Sequence, residues 1–64
     1  MEEFGDVVKK FRKMKGLKVV ELAQRAGLSR DTVYKIERGD IGVRVETLKK
    51  IAKALDIPVS VLVA

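Results

Sequence analysis

Arg30, Asp31, Tyr34 and Lys35 crowd two cations, a carboxylate and a phenol into a short run of a chain that has no histidine and no cysteine. Arg30 brings a planar fork of donors and Lys35 an ammonium on a flexible stem, whereas an ionised Asp31 only accepts and Tyr34 does both. Such a set suits recognition of a polar surface by hydrogen bonds rather than bond-making. The chain has no imidazole base and no thiolate nucleophile, and its scattered carboxylates form no pair at helical spacing in an apolar setting. A Cys/His zinc site and a disulfide framework are excluded by the same composition. No metal or cofactor is expected, and an enzyme is the least favoured class. A plainer reading of the run stands beside this one. Asp31 and Lys35 can pair at i,i+4, with Arg30 lying over Tyr34, as on any solvated helix face.

Positioning these side chains falls to the stretch VVELAQRAGLSRDTVYKIER, Val19–Arg38, which reads as two short helices joined by a glycine turn. Val19, Leu22, Ala23 and Ala26 recur at helical spacing in the first segment. Gly27 follows where a chain leaving a helix often takes a positive φ. Ser29 can cap the second segment, with Leu28 and Val33 placed as a hydrophobic staple that sets its angle of approach. At about 100° per residue, Val33 and Ile36 define the buried direction. Asp31 and Arg38 then lie nearly opposite it, Tyr34 and Lys35 are well exposed, and Arg30 and Thr32 sit on the flanks. Two helices set steeply across a short glycine turn have the geometry with which a helix enters a major groove.

The rest of the chain reads as helices around this pair. A first helix is expected from about Glu2 to Lys15, with Phe4, Val7, Val8 and Phe11 inward and Gly16 ending it. The second spans about Lys18 to Ala26 and the third about Arg30 to Arg38, stopped by Gly39. Asp40 to Arg44 form a loop. A fourth helix runs from about Val45 to Leu55, with Val45, Leu48, Ile51, Ala52 and Leu55 facing the core. Beyond Pro58, Val59–Val63 suits either a short helix or an extended tail, since Val-Ser-Val-Leu-Val also fits a strand.

Sixty-four residues make a single domain, residues 1–64, near the lower size limit for an unaided core. With 47% hydrophobic and 36% charged residues, the chain suits a compact helical unit rather than a disordered tail. No apolar run approaches the roughly 20 residues of a membrane span, and the acidic start is no signal peptide, so a cytoplasmic protein with no membrane partner is expected. The formal charge of +5, from 14 Lys+Arg against 9 Asp+Glu, suits a polyanionic partner. The lysines at 9, 10, 13 and 15 and at 49, 50 and 53 read mainly as solubilising faces.

Ala23, Gly27, Val33 and Ile36 fall where the lambda-type phage repressor and Cro (XRE-like) helix-turn-helix family has its small residue, turn glycine and buried aliphatics. Arg12, Gly16-Leu17, Glu37-Arg38-Gly39 and Glu46–Leu55 are similar to that family too, so the resemblance covers nearly the whole chain. It implies an all-α, five-helix repressor-like domain with the motif in helices 2 and 3. It further implies sequence-specific binding of double-stranded DNA by a small prokaryotic or phage transcriptional regulator. On this resemblance Arg30, Asp31, Tyr34 and Lys35 are the base-edge readers. Arg30 or Lys35 would donate to guanine O6 and N7, Asp31 accept from cytosine N4, and Tyr34 pack on a thymine methyl or donate to phosphate. Phosphate contacts fall to Lys18, Ser29, Thr32, Arg38 and Arg44. Arg12 and Glu37 are implied to form a salt bridge pinning helix 1 to helix 3; the alternative is two unrelated surface charges.

Two departures from the family stand out. Lys18 and Val19 replace its usual Thr-Gln, removing a helix cap worth ~0.5–2 kcal/mol and a phosphate-binding amide. Gly42-Val43 replaces Asn-Pro, and Arg44 replaces a capping serine; Arg44 can reach phosphate or minor groove, or stay solvated. The missing phosphate-binding glutamine sustains a second reading, a protein-interaction module on the same scaffold. In the tail, Val59, Leu62 and Val63 match core aliphatics of the family's helix 5, which leaves Val61 exposed close to Val63. That surface, with the two half-sites such regulators bind, points to a homodimer contacting through Val61 and Val63; the alternative is a tail that only plugs its own core.

Overall fold

The computed structural model describes residues 4–63. They form α1 (Phe4–Met14), α2 (Val19–Ala26), α3 (Arg30–Arg38), α4 (Val45–Leu55) and α5 (Val59–Val63), with no strand among the described residues. This is the all-α, five-helix architecture expected from the sequence. The expected start of the first helix at Glu2 lies outside the described residues.

α3 packs against both α1 and α2, α2 leans on α4, and α5 closes the base against α4 and α1. At their centre Val8, Leu22, Val33, Ile36, Ile51 and Leu55 are sealed from solvent. Leu17, Ala23, Ala52 and Leu62 complete the buried cluster, with Phe4, Val7, Phe11 and Leu28 around its rim. Every helix contributes to that cluster, so none has to be stable alone. This explains α5, whose β-branched sequence is a poor short helix: buried Leu62 and the packed Ile57 and Val59 hold it.

Three apolar positions depart from the pattern expected of them. Val45 is 64% exposed, and Val43 in the preceding loop packs on the core instead. Periodicity gives a direction around a helix, but not whether the core extends as far as its first turn. Val63 is 60% exposed rather than closing the core. Val61, expected to be exposed, is half-buried. With Leu62 inserted, its neighbours diverge to either side by about 100°, and only the Val61 side is covered.

One contact had no apolar signal at all. Gly5 is buried, and a Cβ placed there would collide with the carbonyl oxygen of Ile36 and stand 2.6 Å from that of Glu37. The bare glycine lets α1 cross directly over the last turn of α3.

Candidate nucleic-acid interface

The turn between α2 and α3 is built by backbone chemistry. Gly27 takes φ 68°, ψ 32°, and its N–H donates to the Gln24 carbonyl at 3.3 Å while that of Leu28 donates to Ala23 at 2.8 Å. The chain therefore leaves α2 through a left-handed residue that satisfies two terminal carbonyls. Ser29 then starts α3. Its Oγ accepts from the Thr32 N–H at 3.1 Å and lies 2.7 Å from Thr32 Oγ1. Leu28 packs on the core beside buried Val33, where a hydrophobic staple would place it.

This start fixes which way α3 faces. Val33 and Ile36 are buried, while Arg30, Asp31, Tyr34, Lys35 and Arg38 are exposed and Thr32 is half-buried. Lys35 Nζ lies 3.1 Å from Asp31 Oδ2, so two of the four expected base readers form an ion pair along the helix. Arg38 Nε donates to Asp40 Oδ2 at 3.0 Å, a partner in the following loop that sequence reasoning missed.

α3 is held from behind by Arg12. Its Nε and Nη2 donate to Glu37 Oε2 and Oε1 at 2.7 and 3.1 Å, a two-bond fork. Nη1 donates to the Leu17 carbonyl at 2.9 Å. Only 10% of the Arg12 side chain and 7% of the Glu37 side chain are exposed, so the guanidinium ties α1, the loop before α2 and the end of α3 together inside the protein. Its third bond, to a backbone carbonyl, has no side-chain signature and was missed.

Lys18 and Arg44 immediately precede α2 and α4, and neither side chain caps its helix. An ammonium has no lone pair with which to cap. At α2 another residue compensates: Glu21 Oε1 accepts from the Lys18 N–H at 2.8 Å. Glutamate three residues beyond the cap position was the available sequence signal. Both helix starts thus carry an exposed cation, but at α2 a carboxylate already occupies one backbone donor. Val61 and Val63 lie on α5, apart from these groups in the chain.

Among the described residues no cluster of acidic, histidine or cysteine side chains could hold a metal ion. No helix among them is long and apolar enough to cross a membrane.

An all-helical domain whose second and third helices meet across a glycine turn, with a polar outward face on the third, is a helix-turn-helix domain. Residues 8–62 match the helix-turn-helix family, and the chain belongs to it, in the repressor-type (XRE-like) branch that the sequence resembles. It is 41% identical over 59 residues to the HTH-type transcriptional repressor RghR of Bacillus subtilis, covering 91% of this chain and 44% of that protein. The chain thus spans less than half the length of that curated relative. Among solved structures it resembles the restriction-modification controller protein C.AhdI from Aeromonas hydrophila, with a TM-score of 0.91 at 39% identity over 92% of this chain and 89% of that one. It also resembles SinR, the master regulator for biofilm formation solved in complex with DNA. That match has a TM-score of 0.93 at 32% identity, covering 97% of this chain and all of that one.

Proposed function

We propose that residues 1–64 act as one sequence-specific double-stranded DNA-binding domain of a transcriptional regulator, with α3 in the major groove and α2 across the backbone. The observation that carries this reading is the mounting of α3. It is capped by Ser29, clamped from behind by Arg12, and displays Arg30, Asp31, Tyr34 and Lys35 where they serve no packing purpose. Relatives named as transcriptional repressors, and the likeness to SinR in its DNA complex, support it.

In this reading Arg30, Asp31, Tyr34 and Lys35 meet base edges, while Lys18, Ser29, Thr32, Arg38 and Arg44 meet phosphates. The protein is not an enzyme, takes no cofactor and works in the cytoplasm. It binds as a homodimer on two half-sites about one duplex turn, ~34 Å, apart. The end of α5 is the contact surface, through exposed Val63 and the accessible part of half-buried Val61 on the other flank.

A second reading, a protein-interaction module, draws on the Glu21 carboxylate at the start of α2, which competes with a phosphate there. In-vitro selection from a random duplex library, followed by a salt titration on the enriched site, separates the two. Enrichment of a defined sequence, with affinity falling log-linearly and steeply with salt, supports DNA binding. No enrichment and salt-insensitive partner binding would favour the interaction module.

A further inference from the structure

The ion pair on the outward face of α3 limits what that face can read. We infer that Asp31 and Lys35 act as one unit that recognises a single G·C base pair, rather than as two independent readers of separate bases. The inference rests on the DNA-binding reading above and specifies the sequence class that the site selects.

The two heads lie 3.1 Å apart, one purely an acceptor and the other purely a donor. Their side chains are 74% and 45% exposed, and the helix needs neither for its core. Docking α3 in a groove removes water from both, and the ion pair leaves each head with further acceptor sites or donors that are costly to desolvate unmet. The surface they meet must therefore present an acceptor and a donor side by side at matching separation. Paired bases do this in the major groove. Guanine O6 and cytosine N4 are joined by a hydrogen bond of about 2.9 Å, and each keeps a second lone pair or proton facing the groove. Lys35 on O6 and Asp31 on N4 closes a ring in which the protein ion pair persists.

The neighbouring atoms decide between base pairs. A G·C pair presents acceptor, acceptor, donor in the order N7, O6, N4, so the Lys35 ammonium can span two acceptors while Asp31 takes the donor. An A·T pair places its donor between two acceptors and sets the thymine methyl beside O4. An ammonium on O4 then has one acceptor and an apolar neighbour. Reversal to C·G exchanges donor and acceptors relative to a pair whose order is set by helix polarity. The pair also explains how an acidic residue is accommodated beside DNA: Lys35 offsets its charge.

The test is a base-pair scan of the enriched site by the parent, Asp31→Ala, Lys35→Ala and the double variant at one salt concentration. Both residues are exposed, and circular dichroism checks that each variant remains folded. The parent should favour one G·C pair over its replacements by on the order of tenfold. Each single variant should lose preference at that same pair, and the double variant should lose no more than either. Asp31→Ala should meanwhile bind unrelated duplexes more tightly, because a negative charge near phosphate has gone. Loss of preference at two different base pairs, or no loss in Asp31→Ala, overturns the coupled reading but leaves DNA binding standing. A parent that discriminates among no sequences overturns both.

Discussion

Arg12 and Glu37 form a two-bond ion pair of 2.7 and 3.1 Å across 25 residues of chain, with both side chains nearly buried. Its closest mechanical consequence is at the reading helix, since Glu37 sits on the last turn of α3, one turn beyond Val33. Removing one partner leaves the other charge buried and unpaired, which costs about 3–5 kcal/mol. Arg12→Ala and Glu37→Ala should each show a loss of that order in urea denaturation, and the double variant much less than their sum. Additive losses would mean that the pair does not act as a unit.

Gly5→Ala should destabilise the domain despite alanine's better helix propensity. The propensity gain is about 1 kcal/mol, but the added methyl meets two backbone oxygens that have no rotamer with which to yield. Overpacking of this kind costs about 1–3 kcal/mol, so a net loss is expected as a lowered melting temperature. A raised one would contradict the close crossing of α1 over α3.

Asp56 ends α4 in the left-handed region at φ 56°, the one non-glycine with positive φ among the described residues. Its carboxylate also sits at the negative end of the helix dipole. Asp56→Gly removes both penalties and should stabilise by about 0.5–1 kcal/mol. Asp56→Asn, which keeps a residue tolerant of this conformation, should recover part of the gain. Denaturation midpoints check both, and unchanged midpoints would argue against strain at this turn.

Glu21 holds the Lys18 N–H at the start of α2. Glu21→Gln keeps an acceptor there while removing a negative charge from the proposed phosphate track, so it should tighten binding to every duplex alike. Lys18→Ala should weaken all duplexes about equally and flatten the salt slope by roughly one unit. Arg30→Ala, by contrast, should cost about 1–3 kcal/mol on the preferred site and relax preference at particular base pairs. Indistinguishable effects of the Lys18 and Arg30 substitutions would refute the division into phosphate and base contacts.

Val63, rather than Val61, carries the exposed apolar surface of α5. Val63→Glu should therefore weaken self-association in sedimentation equilibrium at tens of micromolar, and weaken cooperative occupation of two half-sites. A parent that remains monomeric with and without DNA would leave the dimer without support.

Pattern and turn chemistry carried most of the fold. Val33 and Ile36 at helical spacing, glycines after α2 and α3, and Ser29 before α3 are local signals whose physics does not depend on distant residues. They placed the helices to within a residue or two at most ends, and they identified the outward face of α3. Tertiary structure decided what depends on a second element passing nearby. Gly5 is needed because the carbonyls of α3 lie against it, and Arg12 takes a third bond because the Leu17 carbonyl comes within reach. The fate of each tail valine depends on which flank of α5 rests against the domain. A sequence records each residue's own conformational preferences and its period along a helix. It does not record the distance to another helix, and that distance determines whether a given apolar position is covered and whether two charges meet.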